Sequence, residues 1–116
     1  MVYVFDLDGT ICTKTSDGDY HLAKPYKMMI DIIKRLVEEG HRIIIYTARG
    51  MYSKTDRRDF TIKQLNEWGV PYHELHSKPG GDIYIDDLSI QPDEFIKQQL
   101  FEIRKLYVGY RGETIE

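Results

Sequence analysis

Apolar residues along this chain gather in two ways, as short unbroken runs and as longer stretches spaced by three and four. Val2-Tyr3-Val4-Phe5 and Ile43-Ile44-Ile45-Tyr46 are unbroken runs. Runs of that kind predict strands covered on both faces. Between them Met29, Ile32, Ile33, Leu36 and Val37 recur at helical spacing, with Pro25 suited to the first turn and Gly40 to the C-terminal cap. Met28 and Met29 read as part of the same apolar face. A second helix is predicted over residues 56–68, with Phe60, Leu65 and Trp68 inward and Gly69 ending it. A weaker strand over residues 72–75 follows Pro71, and Ile83-Tyr84-Ile85 reads as another short buried strand. Pro92 opens a last helix to about Tyr107, burying Phe95, Ile96, Leu100, Ile103 and Leu106. Residues 108–116 carry no pattern that assigns them.

Strands alternating with helices imply parallel pairing through right-handed crossovers. The expected fold is α/β, a Rossmann-like three-layer sandwich with a central parallel sheet. At 116 residues the chain has the size of one domain, 1–116. The stretch from Cys12 to Lys24 is too polar for core and has a turn signal at Asp17-Gly18. It is expected to form a short hairpin or flap after the first strand.

Charge narrows the choice of partner. Sixteen basic and 19 acidic residues give a net charge of −3. There is no strongly basic run, which argues against nucleic acid as a partner bound through phosphate neutralisation and leaves room only for a local basic patch. The nearest basic cluster, Lys54, Arg57 and Arg58, is split by Asp56. Cys12 is the only cysteine, so an internal disulfide and a cysteine-built zinc site are excluded. No apolar run approaches membrane-spanning length and no signal peptide is visible, so a cytoplasmic protein without a membrane partner is expected.

In open α/β sheets ligands bind beyond the carboxyl ends of the strands. The residues following the apolar runs are Asp6, Leu7, Asp8, Gly9 and Thr10, then Thr47, Ala48 and Arg49, then Asp86 and Asp87. Carboxylates and a hydroxyl thus converge on one edge. Asp6 and Asp8, two apart, repel each other unless a proton or a cation intervenes. A hard divalent cation with oxygen ligands fits best, which means Mg²⁺, with Asp86 and Asp87 adding further oxygen. With such a cation Asp6 can attack phosphorus, while Asp8 donates a proton to the leaving oxygen and then activates water.

Val4-Phe5-Asp6-Leu7-Asp8-Gly9-Thr10-Ile11 resembles the first motif of the haloacid dehalogenase superfamily of phosphatases. Thr47 is similar to its second motif, Lys78 to its third-motif lysine, and Asp86-Asp87 to its acidic fourth motif. The resemblance implies Asp6 as nucleophile and Asp8 as acid/base. It implies Mg²⁺ held by Asp6, the Asp8 backbone carbonyl and Asp86, with Asp87 alongside or through water. Thr47 would then donate to the phosphoryl oxygens, and Lys78 would offset the charge on Asp6 and phosphate. Two departures stand out. Lys78 sits on a Pro/Gly-rich loop only eight residues before Asp86, and Ile85 stands where the commoner fourth motif has glycine. Residues 11–24 and 48–77 leave no room for a cap domain, so the chain resembles a capless member. It is similar to short phosphatases of bacterial capsule and surface-polysaccharide biosynthesis.

The function expected from this resemblance is Mg²⁺-dependent hydrolysis of a small phosphorylated metabolite, a sugar phosphate by preference and a (deoxy)nucleotide as the alternative. A phospho-accepting receiver places its acidic pair after the first strand and its phosphorylated Asp in mid-chain, an order this sequence reverses. A silent binding module does not require intact Asp6, Asp8 and Asp86. Arg49 reads either as a substrate contact or as an exposed arginine. Cys12 reads as inert. His73 and His76 face opposite sides of an extended chain and make a poor zinc pair, with His76 the better candidate for a substrate contact. With no lid domain to exclude water, the crevice is expected to be covered by the flap, where Tyr20 and Leu22 are the apolar residues, or by a second subunit in a dimer or tetramer.

Overall fold

Three parallel strands order the chain in the computed structural model, which describes residues 1–16, 18–50 and 57–111, the last nine by backbone alone. They are β1 (Val2–Phe5), β2 (Arg42–Thr47) and β3 (Glu74–Ser77), in spatial order β1-β2-β3. The register pairs Tyr3 with Ile43, Phe5 with Ile45, Ile45 with Leu75 and Thr47 with Ser77. The helices are α1 (Lys27–Glu38), α2 (Arg58–Trp68) and α3 (Pro92–Arg111). The fold is therefore α/β, an open parallel sheet of the Rossmann-like kind, as the alternation of runs and periodic stretches implies. Two compact units divide the chain, Met1–Tyr84 and Ile85–Glu116.

The first unit holds the sheet. Phe5, Ile43, Ile45 and Leu75 share one pleat face and are all buried, against the apolar stripe of α1. That stripe is Met29, Ile30, Ile32, Ile33 and Leu36, so Met28, which points away and is 52% exposed, is not core. The other face of β1 is open, with Val2 and Val4 more than half exposed. An unbroken apolar run thus covers only one face here, because the pleat sends alternate residues to opposite sides. Pro25 is not in the first helical turn; it lies before the N-cap Tyr26 and forms an isolated antiparallel bridge with Cys12. Gly40, at φ 90°, takes the left-handed conformation that follows the α1 cap residue Glu39.

The α2 helix departs from its expected orientation. Its buried residues are Thr61, Gln64 and Leu65, while Phe60 is 37% exposed and Trp68 half-buried. The inward face of this helix is largely polar, and its partner is a charge. Asp56 and Lys54, as well as Asp17 of the expected turn, lie outside the described residues. The segment from Cys12 to Lys24 does form a flap-like excursion, containing a 3₁₀ turn at Tyr20–Leu22 and closed at its base by Thr13 N–H donating to the Lys24 carbonyl at 2.9 Å. Cys12 itself is fully buried, contrary to its polar setting in sequence.

In the second unit α3 runs on to Arg111, past the expected end. Phe95 is buried, Ile96 half-buried and Leu100 exposed; the side chains of Ile103 and Leu106 lie outside the described residues. Ile83-Tyr84-Ile85 forms no strand: Ile83 is 79% and Ile85 95% exposed, with no ladder to either side. Strands exist only through pairing, and among the described residues these three have no partner strand.

The α1 and α2 contacts set the stability expected of the first unit. Ile33→Ala and Leu65→Ala, both at fully buried sites, are each expected to cost about 2–5 kcal/mol in urea unfolding. Met28→Ala should stay within about 1 kcal/mol. Equal losses at all three positions would show that the α1 stripe is not the packed face.

Candidate active site

The loop after β1 is wound around one carbonyl. Leu7, fully buried, accepts hydrogen bonds through its backbone oxygen from the N–H groups of Thr10 (3.1 Å), Ile11 (2.8 Å) and Cys12 (3.3 Å). Gly9 N–H donates back to the Cys12 carbonyl at 2.7 Å, and Gly9 has a φ of 88°, a conformation that favours glycine. This tight turn leaves Asp6 and Asp8, on either side of buried Leu7, half-buried at the carboxyl end of the sheet. Thr10 Oγ1 lies 3.4 Å from Asp6 Oδ2 as a donor.

Each of these carboxylates meets its own cation. Lys78 Nζ is 2.8 Å from Asp6 Oδ1, with the lysine side chain 13% exposed and the aspartate side chain 38%. Sheet register brings it there. Thr47 pairs with Ser77, and the next amide, Lys78 N–H, donates to the Thr47 carbonyl at 2.9 Å. The ammonium also sits 4.4 Å from the centre of the Tyr84 ring, whose hydroxyl donates to the Pro79 carbonyl at 2.7 Å. Thr47 is buried, and its Oγ1 accepts from the Arg49 amide at 3.2 Å, so the hydroxyl proton is available to an anion beyond the strand. Ala48 lies between them, half-buried.

Arg49 turns inward. Its side chain is 1% exposed, and it grips Asp8 with two parallel bonds, Nε to Oδ2 at 3.0 Å and Nη2 to Oδ1 at 2.8 Å. Nη1 donates to Gln64 Oε1 at 2.7 Å and to Thr61 Oγ1 at 3.4 Å. The Tyr20 ring covers the guanidinium at 4.4 Å. Arg49 is therefore not a surface arginine, and its guanidinium is bonded to Asp8, Gln64 and Thr61. Thr61 and Gln64 are the residues that sequence reasoning missed. Buried polar side chains in an amphipathic helix look like its solvated face, and the only clue was the poor apolar periodicity of residues 58–68.

Cys12 completes the surroundings of Asp8, with Sγ 3.5 Å from Oδ1. Burial, followed by the nearby Asp8 charge, pushes its thiol up to about 12, so it stays protonated and unreactive. His76 is exposed and bound to Glu74 at 2.9 Å, and His73 Nδ1 accepts from the Ile43 amide at 3.0 Å. Neither histidine stands among these groups. Asp86 and Asp87 belong to the second unit and do not follow a strand; Asp86 Oδ1 accepts from the Leu88 amide at 2.8 Å in a local turn. Among the described residues no three His, Cys, Asp or Glu side chains gather as a metal cluster.

A carboxylate beside an ammonium, a second carboxylate in a guanidinium fork, and a buried hydroxyl at parallel strand ends suit phosphoryl transfer, where positioning and charge stabilisation do most of the catalysis. Comparison with known proteins points the same way. The chain aligns over 95% of its length with a crystal structure from Vibrio cholerae, of which it covers 98%, at 30% identity and a TM-score of 0.76. Two structures of a Pnkp1/Rnl/Hen1 complex, one described as an RNA repair complex, align over 84% and 88% of the chain at 21% identity and a TM-score of 0.53. The chain spans only 33% and 30% of those proteins, and they support the fold alone. No curated protein sequence matches. Residues 1–111 match the family model described as the polynucleotide kinase PNKP phosphatase domain, which lies within the haloacid dehalogenase group, and the chain belongs to this family of phosphatases.

Proposed function

We propose that this phosphatase hydrolyses a small phosphorylated metabolite, a sugar phosphate by preference, through a phosphoryl-Asp6 intermediate. The observation that carries this reading is the 2.8 Å contact of Lys78 with Asp6 at the carboxyl edge of the sheet. An Asp6 oxygen attacks phosphorus and the bond from phosphorus to the ester oxygen breaks. The departing oxygen takes a proton from Asp8 and leaves as the alcohol. Water then attacks phosphorus and gives its proton to Asp8, the bond from phosphorus to the Asp6 oxygen breaks, and inorganic phosphate leaves with the Asp6 carboxylate restored. Lys78 and the Thr47 hydroxyl hold the phosphoryl oxygens, with Ala48 and Arg49 in the loop beside them.

The donors available are hard oxygens, which suits Mg²⁺. Asp6, the Asp8 carbonyl, Asp86 and Asp87 are the proposed ligands, the last two on the strength of their sequence context. When bound, the ion would neutralise charge on the phosphoryl group. A second reading, the phosphorylated end of a polynucleotide, is favoured by the description of the matching family, and a (deoxy)nucleotide lies between the two. Against the polynucleotide stands the net charge of −3. The proposed setting is cytoplasmic. Among the described residues no helix is long and apolar enough to cross a membrane. Leu22, on the flap and 61% exposed, favours a homo-oligomer, dimer or tetramer, to be read by light scattering.

Asp6→Asn should lower steady-state turnover by more than about 10³-fold with the thermal transition unchanged, since it removes the nucleophile and keeps the shape. A rate within tenfold of wild type would overturn the covalent route. Lys78→Met should cost about 10²-fold in kcat/KM. Substrate class is decided by a panel of sugar phosphates, nucleoside monophosphates and a terminally phosphorylated oligonucleotide, each assayed with Mg²⁺ and after chelation. Sugar phosphates are expected to give the highest kcat/KM and chelation to silence all three. Preference for the oligonucleotide would select the second reading, and full activity after exhaustive chelation would remove the metal.

A further inference from the structure

We propose that Gln64 and Tyr20 are positioning residues that act on the acid/base group Asp8 through the Arg49 guanidinium, tying the flap and helix α2 to the proton-transfer step. The inference rests on the reading of Asp8 as the proton donor to the leaving oxygen. The Gln64 side chain has both ends committed. Its Oε1 accepts from Arg49 Nη1 at 2.7 Å, and its Nε2 donates to the Tyr20 backbone carbonyl at 2.8 Å. The amide can be placed only this way round, because a guanidinium has no acceptor and a carbonyl no donor. Tyr20 is held by that bond, and its ring lies 4.4 Å from Arg49 Cζ, covering the face of the guanidinium.

Arg49 is thereby fixed in every direction that matters for Asp8. One edge forks onto the carboxylate, the remaining nitrogen reaches Gln64 and Thr61, and a face is capped by Tyr20. A fork holds a carboxylate in one plane, so rotation or withdrawal of the guanidinium moves Asp8 with it. Misplacement of a reacting group by about 1 Å can cost about 10²-fold in rate. Gln64 and Tyr20 themselves need not meet substrate. Their effect passes through Arg49, and the flap that carries Tyr20 is part of the support of the acid.

Leaving-group dependence separates this role from plain structural support. Wild type, Gln64→Met, Tyr20→Leu and Arg49→Lys are assayed for kcat/KM on an alkyl phosphate, whose alkoxide needs a proton to depart, and on p-nitrophenyl phosphate, whose phenolate does not. This parameter covers only steps through phosphorylation of Asp6, so the later hydrolysis does not enter. Gln64→Met and Tyr20→Leu are each expected to lose about tenfold to a hundredfold on the alkyl ester and less than about threefold on the aryl ester, while Arg49→Lys, which breaks the fork itself, should lose at least as much on the alkyl ester. Lysine is included because it keeps the charge and cannot fork. Equal losses on both esters in Gln64→Met and Tyr20→Leu, or no loss on either, would overturn the proposal while leaving the phosphatase reading intact. Wild type that hydrolyses neither ester would overturn both. Tyr20→Leu, at a half-buried flap position, gives the answer should the buried variants fail to fold.

Discussion

A guanidinium with a side-chain exposure of 1% cannot be left without partners, and much of the first unit is arranged to supply them. Burying a charge unpaired is prohibitive, and removing one member of a buried pair typically costs about 3–5 kcal/mol. Arg49 answers this with Asp8 on one side and the polar face of α2 on the other. That requirement explains why Thr61 and Gln64 are buried where an ordinary core helix would carry leucines. It also explains why the flap, polar along much of its length, is drawn down at Tyr20 and does not hang free.

Asp6 and Asp8 lie only two residues apart, yet their environments differ. Asp6 pairs with an ammonium and is the more open of the two, at 38% side-chain exposure against 23%. Lysine is a compact point charge that can follow a phosphoryl group; a forked arginine fixes orientation. The two carboxylates are thus held differently, one by a mobile point charge and one by a rigid fork, and the proposed mechanism gives them different roles. Two cations from two other strand ends also relieve the repulsion between neighbouring carboxylates, Lys78 as the resemblance implies and Arg49 in addition.

How much of this was legible in the sequence depends on what each residue leans on. Asp6, Asp8 and Thr47 follow unbroken apolar runs, and the ends of such runs mark the ligand edge of a parallel sheet. Lys78, which looked displaced on its Pro/Gly-rich loop, comes to Asp6 because the weak strand before it, shifted to Glu74–Ser77, pairs with β2. The roles of Thr61, Gln64 and Arg49 were not legible. Their burial is caused by one another, and a periodicity count has no way to see a polar cluster that is satisfied only in three dimensions. Ile83-Tyr84-Ile85 failed in the opposite sense: apolar composition suggested a strand, but composition supplies no pairing partner.

The amide of Lys78 on the Thr47 carbonyl has a consequence for how the chain tolerates change in length. The β2–β3 ladder fixes which residue stands opposite Thr47, and side chains alternate faces along a strand. Deleting or inserting one residue inside Glu74–Ser77 would carry the ammonium to the opposite side of the sheet, away from Asp6. The same indel at Pro71-Tyr72 can be absorbed before His73 N–H makes the first bond to β2, on the Ile43 carbonyl. The alignment of the two charges is thus a counted quantity, kept by the number of residues in β3 more than by the identity of any one of them.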